Sequence, residues 1–228
     1  RNGSIWANCM WLKGVVMKAH YNGLIPRNPF IQFHISPNVK EREYLTEDEL
    51  KAVMTHEFAD SKLAYIRDIF IFASFTVLSF VDIQELTNDN IVEVNGEKWI
   101  LSKRHKTKVA FQVKLLDIPL QIVERYRPMQ KDNRIFTDLN YWSICKPLKR
   151  MIRECGITKS ISFHCSRHGF ATLALSKGMP IESVSRVLGH TNIVTTQLYA
   201  KITTQKLDND LTMFGDKLSK TFNGITMS

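Results

Sequence analysis

The sequence predicts a mainly helical protein with a small three-stranded antiparallel β-sheet. A nearly all-apolar run at residues 63–79 indicates a long helix buried in the core. Further along, the runs 91–94 and 98–101 flank Asn95-Gly96, the strongest short signal for a hairpin turn. A third strand is predicted at 109–115, after a basic loop. These runs together predict the fold class.

Two domains are expected along the chain. Residues 4–21 predict a helix that ends at Asn22-Gly23, before two prolines. Because one helix cannot bury its own apolar face, we interpret residues 1–40 as the last part of an N-terminal domain, with a linker at 35–42.

The second domain, 41–228, begins at a capping box formed by Thr46 and Glu49, whose helix is expected to run to about Glu57. A short helix at 81–86 follows the long one. After the sheet, helices are predicted near 119–129, 140–155, 164–177, 180–188 and 192–200, with a tail helix from about 204.

The charge of the chain favours a polyanionic partner. It has 31 Lys and Arg against 22 Asp and Glu, a formal net charge of +9, which suits nucleic acid or an anionic membrane. The most apolar stretch, 69–81, is shorter than the ~20 residues that span a bilayer. The start does not resemble a signal peptide, so a cytoplasmic protein is expected. The four cysteines form no C-x-x-C pair, which predicts reduced thiols and no metal.

Four polar residues in the last third have informative spacing. His164 and Arg167 would share a helix face, and alone they indicate a capping histidine and a surface arginine. His164 with His168 is a weak zinc signal, because the Glu of H-E-x-x-H is missing. However, His190, in Leu-Gly-His, follows Arg167 by 23 residues, and Tyr199 follows His190 by nine.

At these residues the chain resembles the tyrosine recombinase, or phage integrase, family, whose catalytic end reads H-x-x-R, then L-G-H, then a nucleophilic tyrosine. The resemblance points especially to integrases of conjugative transposons and related mobile elements. It implies the catalytic-domain fold of DNA breaking-rejoining enzymes for 41–228. It also implies that 1–40 is the remnant of a helical core-binding domain.

The resemblance implies a role for each matching residue. Tyr199 would attack a phosphodiester and form a 3′-phosphotyrosyl bond, which needs no cofactor. Arg167 would bind the non-bridging oxygens, with His164 and His190 adding hydrogen bonds or handling protons. Lys106, on the hairpin, would protonate the leaving 5′ oxygen.

The sequence departs from the family at one position. The segment 76–82 aligns with the family's T-G-L-R-x-x-E/D box, but Ser79 stands where the first catalytic arginine is expected. Asp82 holds the acidic position and is expected to orient a neighbouring histidine or arginine. Arg104 is one candidate replacement. Arg67 is another, although an unbroken helix at ~1.5 Å per residue would hold it about 18 Å away.

Two surfaces are expected to contact partners. DNA phosphates would meet the hairpin cations and one stripe of the helix near 140–155, although a solvated face is the alternative for the stripe; these cations are Arg104, Lys108, Lys146, Lys149, Arg150 and Arg153. The tail carries an apolar seam, Leu207, Leu211, Phe214 and Leu218, which packs on its own domain or, as the family implies, docks on the next protomer of a tetramer.

The expected function is therefore site-specific recombination that integrates or excises a mobile element. The expected partners are double-stranded DNA, further copies that form a homo-tetramer on DNA from free monomers, and directionality factors, without a membrane. The expected location is the bacterial cytoplasm, at the nucleoid. The alternatives are a type IB topoisomerase and a non-catalytic DNA-binding module, the latter supported by Ser79 alone.

Overall fold

A computed structural model of the chain describes residues 2–34, 43–105, 110–190, 192–200 and 204–221. The chain divides into two compact units, Arg1–Arg42 and Glu43–Ser228. The expected linker at 35–42 lies outside the described residues. Assignment of the first unit to a core-binding domain stays a prediction.

The first unit consists of one long helix and a turn-rich segment. Helix α1 (Asn2–Tyr21) agrees with the helix predicted at 4–21, and Gly23 follows it in a left-handed conformation with φ 72°. Several apolar side chains of α1 are exposed, including Trp11 at 72% and Ile5 at 53%.

The second unit is mostly helical, as predicted. Its helices are α2 (Glu47–Thr55), α3 (Ser61–Thr76), α4 (Phe80–Gln84), α5 (Asp117–Tyr126), α6 (Tyr141–Glu154), α7 (Cys165–Ser176), α8 (Ile181–Leu188), α9 (Val194–Gln197) and α10 (Thr204–Thr221). The predicted capping box of Thr46 and Glu49 starts α2. Helix α3 is the centre of the core, because Ile69, Phe70 and Phe72 are all buried and the helix contacts α2, α5, α6 and α7.

The long helix α3 ends at Thr76 and not at Ser79 as predicted. Val77 ends it in a left-handed conformation with φ 60°, which is unfavourable for a β-branched residue. Val77 is fully buried in an apolar cluster with Leu175 and Leu188, and this packing holds the conformation. The chain then turns, and Ser79 starts α4.

The small sheet is confirmed. Strands β1 (Ile91–Val94), β2 (Glu97–Lys103) and β3 (Ala110–Lys114) pair antiparallel in that order. Asn95 and Gly96 have φ values of 53° and 77°, so both turn residues are left-handed, as a type I′ hairpin requires. The loop at 106–109, between β2 and β3, lies outside the described residues.

The helices after the sheet differ from the prediction in detail. Helix α5 ends at Tyr126 and continues as a short 3₁₀ turn, and α9 is shorter than the helix expected at 192–200. On α10 the apolar seam is exposed, with Leu211 at 59% and Phe214 at 58%. No helix in the described part of the chain has the length and apolarity to cross a bilayer.

Candidate active site

The first turn of α4 carries the carboxylate of Asp82, which accepts hydrogen bonds from several neighbouring groups. The Ser79 hydroxyl accepts from the Asp82 backbone N–H at 3.3 Å, and the Ser79 backbone N–H donates to Asp82 Oδ2 at 3.2 Å, which completes a capping box on α4. The Ser79 hydroxyl also donates to Asp82 Oδ2 at 2.8 Å. Asp82 also accepts from Arg104 Nη1 at 3.0 Å and from the His105 backbone N–H at 3.0 Å. Ser79 therefore caps a helix here, and Asp82 binds an arginine as expected.

The carboxyl of Asp82 stays ionised despite its burial. Burial opposes ionisation, but hydrogen bonds from the His105 backbone, the Ser79 hydroxyl and Arg104 outweigh it and hold the pKa below the usual value. A stable negative charge therefore lies at this turn.

Arg104 follows β2 and is 9% exposed. Besides Asp82, its guanidinium donates to the Val77 carbonyl at 3.2 Å and to the Val187 carbonyl at 3.1 Å, and its central carbon lies 4.2 Å from the Phe111 ring centroid. Its buried Nε–H has no hydrogen-bond partner among the described residues. Arg104 is thus held at the turn where Ser79 replaces an arginine, with one donor unused.

Arg67, the other candidate replacement, is engaged elsewhere. Its Nε donates to Asp68 at 2.8 Å, and its Nη1 donates to the His56 carbonyl at 2.9 Å. Helix α3 runs unbroken from Ser61 to Thr76, so the bend that Arg67 would need is absent from this described helix.

Arg167, in the first turn of α7, meets Arg104 at a shared acceptor. Its Nη1 donates to the Val77 carbonyl at 3.3 Å, and its Nη2 donates to the Leu188 carbonyl. Burial, and next the like charge of Arg104, lower the pKa of Arg167 to about 10, while Tyr199 and Asp82 oppose the shift. Because Arg167 stays protonated at neutral pH, two guanidinium groups face one carboxylate here. This excess positive charge suits an anion.

The L-G-H segment closes one side of this site. Gly189 ends α8 with φ 65°, and a Cβ built on it would lie 3.7 Å from Arg104 Nε, so the backbone passes close to the arginine. Next to it, the Nδ1 atom of His190 lies 2.9 Å from the Thr196 hydroxyl oxygen. Burial and the charges of Arg167 and Arg104 lower the pKa of His190, which favours a neutral ring.

Tyr199 lies on the same side of the molecule as Arg167. Its ring centroid is 5.1 Å from that of His168, which in turn is 4.9 Å from that of His164. Tyr199 is half-buried against the apolar cluster that contains Val77, and its phenol acts on the pKa of Arg167. The structure therefore brings the predicted tyrosine, arginine and histidines together.

The comparisons with known proteins agree with this geometry. The model of the Phage integrase family matches residues 43–206, most of the chain. The chain belongs to this family. Among its relatives is tyrosine recombinase XerA of Pyrococcus horikoshii, 32% identical over 177 residues, which are 72% of this chain and 58% of the relative. Tyrosine recombinase XerC of Lactobacillus leichmannii is 27% identical over 203 residues, 81% of this chain and 67% of the relative.

Solved structures share the fold of this phage integrase family member. The Tn1549 transposon integrase in complex with a circular intermediate DNA has a TM-score of 0.73 at 18% identity, covering 89% of this chain and 76% of that one. The XerH recombinase in a post-cleavage complex has a TM-score of 0.64 at 22% identity, covering 80% and 56%. The chain spans little more than half the length of the XerA and XerH relatives.

Besides Arg104, described above, the predicted cations fall into two groups. Lys106, expected in catalysis, and Lys108 lie outside the described residues. On α6, the predicted stripe lines an open surface groove of about 530 Å³; its cations are Lys146, Lys149, Arg150 and Arg153. Arg150 already pairs with Asp60 at 3.2 Å and Glu154 at 3.7 Å, whereas no ion pair of the described residues involves Lys146 or Lys149.

Three features of this candidate site were missed from sequence. The Val77 carbonyl accepts from both arginines, but a backbone acceptor has no residue-type signal. His168, considered only as a zinc ligand, lies between His164 and Tyr199. Thr196 contacts His190, and its place one helical turn before Tyr199 is a signal that could have singled it out. Among the described residues, no cluster of three or more metal-ligating side chains occurs.

Proposed function

We propose that this chain is the DNA-cleaving part of a site-specific recombinase that integrates or excises a mobile element. One observation carries the proposal: Arg104 and Arg167 converge on the Val77 carbonyl, beside a single carboxylate and close to Tyr199. A DNA phosphodiester is an anion that this excess positive charge would bind. The resemblance to the Tn1549 transposon integrase supports the link with a mobile element.

In the proposed reaction, the Tyr199 phenol oxygen attacks a DNA phosphorus and the bond to the 5′ oxygen breaks. Arg167 and Arg104 bind the non-bridging oxygens as negative charge builds on them, and His190 donates a further hydrogen bond. His164 takes the phenol proton, and Lys106 gives a proton to the leaving 5′ oxygen. Rejoining reverses these steps with a 5′ hydroxyl from another strand.

Arg104 takes the part of the arginine that Ser79 replaces. Its guanidinium reaches the carboxylate of Asp82 and the turn at Val77 from the hairpin side. Its Nε–H is buried and has no hydrogen-bond partner among the described residues, so DNA binding must open this side of the site before the Nε–H can donate to a phosphate oxygen. Asp82 holds Arg104 in place and does not transfer a proton.

DNA is bound by phosphate contacts that do not read its sequence. Lys146, Lys149 and Arg153 on α6 would supply further phosphate contacts, and so would Lys108, between β2 and β3. Affinity then falls steeply as salt concentration rises. The first unit, as a core-binding remnant, would add DNA contacts of its own, and the enzyme would act at the bacterial nucleoid with directionality factors.

Assembly is proposed to use the tail. The seam on α10 exposes Leu207, Leu211 and Phe214 in the isolated chain, so its burial requires a groove elsewhere. A second copy supplies this groove when four chains assemble on DNA, while the free protein is a monomer.

The test is covalent capture of DNA. The chain is incubated with a pool of nicked duplexes of random sequence, and adducts that survive detergent are collected and sequenced. Wild type is expected to form adducts that Tyr199→Phe abolishes, whereas Tyr141→Phe, at an exposed tyrosine of α6, retains them.

The sequenced adducts separate the alternatives. Enrichment of one sequence supports a site-specific recombinase, whereas adducts without enrichment, together with relaxation of supercoiled plasmid, would indicate topoisomerase activity. Binding without any adduct would indicate a non-catalytic module. Equal capture by wild type and Tyr199→Phe would overturn the choice of nucleophile.

A further inference from the structure

Thr196 occupies a place that a purely apolar core would fill with a hydrocarbon side chain. It is fully buried on α9, one turn before Tyr199, and its hydroxyl oxygen lies 2.9 Å from His190 Nδ1. A buried hydroxyl is costly to desolvate unless it has a hydrogen-bond partner, and the imidazole supplies one. The contact joins α9, which directly precedes the nucleophile, to the L-G-H segment.

The direction of this hydrogen bond decides what the other ring nitrogen offers. A neutral imidazole has one N–H and one acceptor nitrogen. If the Thr196 hydroxyl donates to Nδ1, the proton lies on Nε2, which then donates to a phosphate oxygen. The opposite arrangement would turn a lone pair of Nε2 toward the anion, which is repulsive.

The surroundings favour the first arrangement. Arg167 on α7 and Arg104 after β2 both place positive charge near the ring, so the neutral form is favoured. A neutral ring needs its donor directed at the phosphate, and a fixed hydroxyl behind it selects that tautomer. Outer hydrogen-bond partners play this part for histidines that bind metals.

We propose that Thr196 is a positioning residue that donates to His190 Nδ1 and so holds the Nε2–H of His190 toward the DNA phosphate. The inference rests on the proposed function for its phosphate, but the hydrogen bond can be measured separately. Because the Tyr199 backbone N–H donates to the Thr196 carbonyl at 3.0 Å, just after α9, the same residue sets the histidine relative to the nucleophile.

The test compares Thr196→Val, which removes only the hydroxyl from a side chain of similar shape, with Thr196→Ser, which keeps it. Thr195→Val, at the exposed neighbouring threonine, is the matched control. With saturating nicked duplex, Thr196→Val is expected to form adduct about 10- to 100-fold more slowly, while Thr196→Ser and Thr195→Val stay within a few-fold of wild type. Affinity for DNA should be equal in all four proteins.

A second measurement reads the bond itself. In the chain labelled with ¹⁵N-histidine, the Nδ1 resonance of His190, assigned with His190→Gln, reports whether this nitrogen accepts a hydrogen bond. Wild type and Thr196→Ser are expected to show a bonded Nδ1, and Thr196→Val an unbonded one. An unchanged Nδ1 resonance in Thr196→Val, or slow cleavage that Thr196→Ser does not restore, would overturn the proposal.

The two failures are distinguishable. If no protein forms adducts but the Nδ1 resonance still depends on the Thr196 hydroxyl, the proposed function fails and the positioning contact stands. If wild type forms adducts and Thr196→Val forms them at the same rate, the recombinase stands and the positioning role fails.

Discussion

Two buried aspartates in this molecule bind arginines, and they serve different ends. Asp68 on α3, 2% exposed, accepts from Arg67 at 2.8 Å, from Arg125 at 2.7 Å and from the Tyr126 hydroxyl at 2.7 Å. Asp82, 8% exposed, accepts from Arg104, from Ser79 and from a backbone N–H. Both carboxylates are well satisfied, so burial and hydrogen bonding alone do not separate structure from function.

The difference lies in the arginines. The side chains that donate to Asp68 come from α3 and α5. Arg67 also donates to the His56 carbonyl, so this cluster joins helices to one another. Burial, and next the hydrogen bond to Asp68, raise the pKa of Tyr126, which keeps its phenol a donor. At Asp82, a second guanidinium, Arg167, lies nearby, and Arg104 keeps an unused donor. Surplus positive charge marks the site.

The largest expected effect is on the rate of adduct formation, and it distinguishes Arg104 near Asp82 from Arg125 near Asp68. Arg104→Ala is predicted to slow adduct formation by a factor on the order of 10² to 10⁵, since it removes a charge-stabilising donor from phosphoryl transfer. Arg125→Ala, in the other cluster, should lower stability but leave the rate of the folded protein within a few-fold. The rate is measured with saturating nicked duplex.

A second change sharpens the same test. The Ser79 hydroxyl oxygen lies 2.8 Å from Asp82 Oδ2. In the Arg104→Ala background, Ser79→Arg therefore introduces a guanidinium close to that carboxylate, and it is expected to recover part of the rate. Full activity of Arg104→Ala alone would show that Arg104 does not replace the missing arginine.

The next largest effect is on the free energy of unfolding, for which the Asp68 cluster is expected to matter more than the Asp82 cluster. Asp68→Ala is predicted to lower the free energy of unfolding by about 3–5 kcal/mol, because it leaves buried arginine charge unpaired. Asp82→Asn should cost less, about 1–3 kcal/mol, since the amide keeps part of the hydrogen bonding. Urea unfolding at neutral pH measures both. A larger loss in Asp82→Asn than in Asp68→Ala would contradict the division of roles.

The stability that the charge of Asp82 contributes is expected to depend on pH. Because the folded-state pKa of Asp82 is lowered, its ionised form stabilises the fold at neutral pH, and this stabilisation is lost as the pH falls through that lowered pKa. The difference in unfolding free energy between wild type and Asp82→Asn is therefore expected to shrink toward acid pH. A difference that does not change with pH would mean that the charge of Asp82 contributes no stability.

The smallest effect concerns cations on α6, where paired and unpaired side chains can again be compared. The slope of log affinity against log salt is expected to become shallower by about 0.9 for each phosphate contact removed, in Lys146→Ala and in Lys149→Ala. Arg150→Ala, whose side chain pairs with Asp60 and Glu154, should change the slope less. Equal changes in all three variants would mean that existing ion pairs do not decide which cations bind DNA.

Local patterns predicted much of the fold. The capping box at Thr46, the Asn95-Gly96 hairpin and the long apolar helix depend on neighbouring residues, so their residue types were sufficient signals. The end of α3 was predicted wrongly, because Val77 adopts a backbone conformation that its own residue type disfavours. Only packing against residues distant in the chain holds it there.

The sequence by itself identified the family, through the order and spacing of a histidine, an arginine, a second histidine and a tyrosine, and with it the chemistry that we propose. Only the tertiary structure pointed to Arg104 as the proposed source of the missing arginine's charge. Arg104 and Ser79 are far apart in the chain and share no local pattern, and the carboxylate of Asp82 and the carbonyl of Val77 join them in space. A hydrogen-bond network between distant segments leaves no periodic pattern in the sequence, because its members are far apart in the chain and meet only in the folded structure.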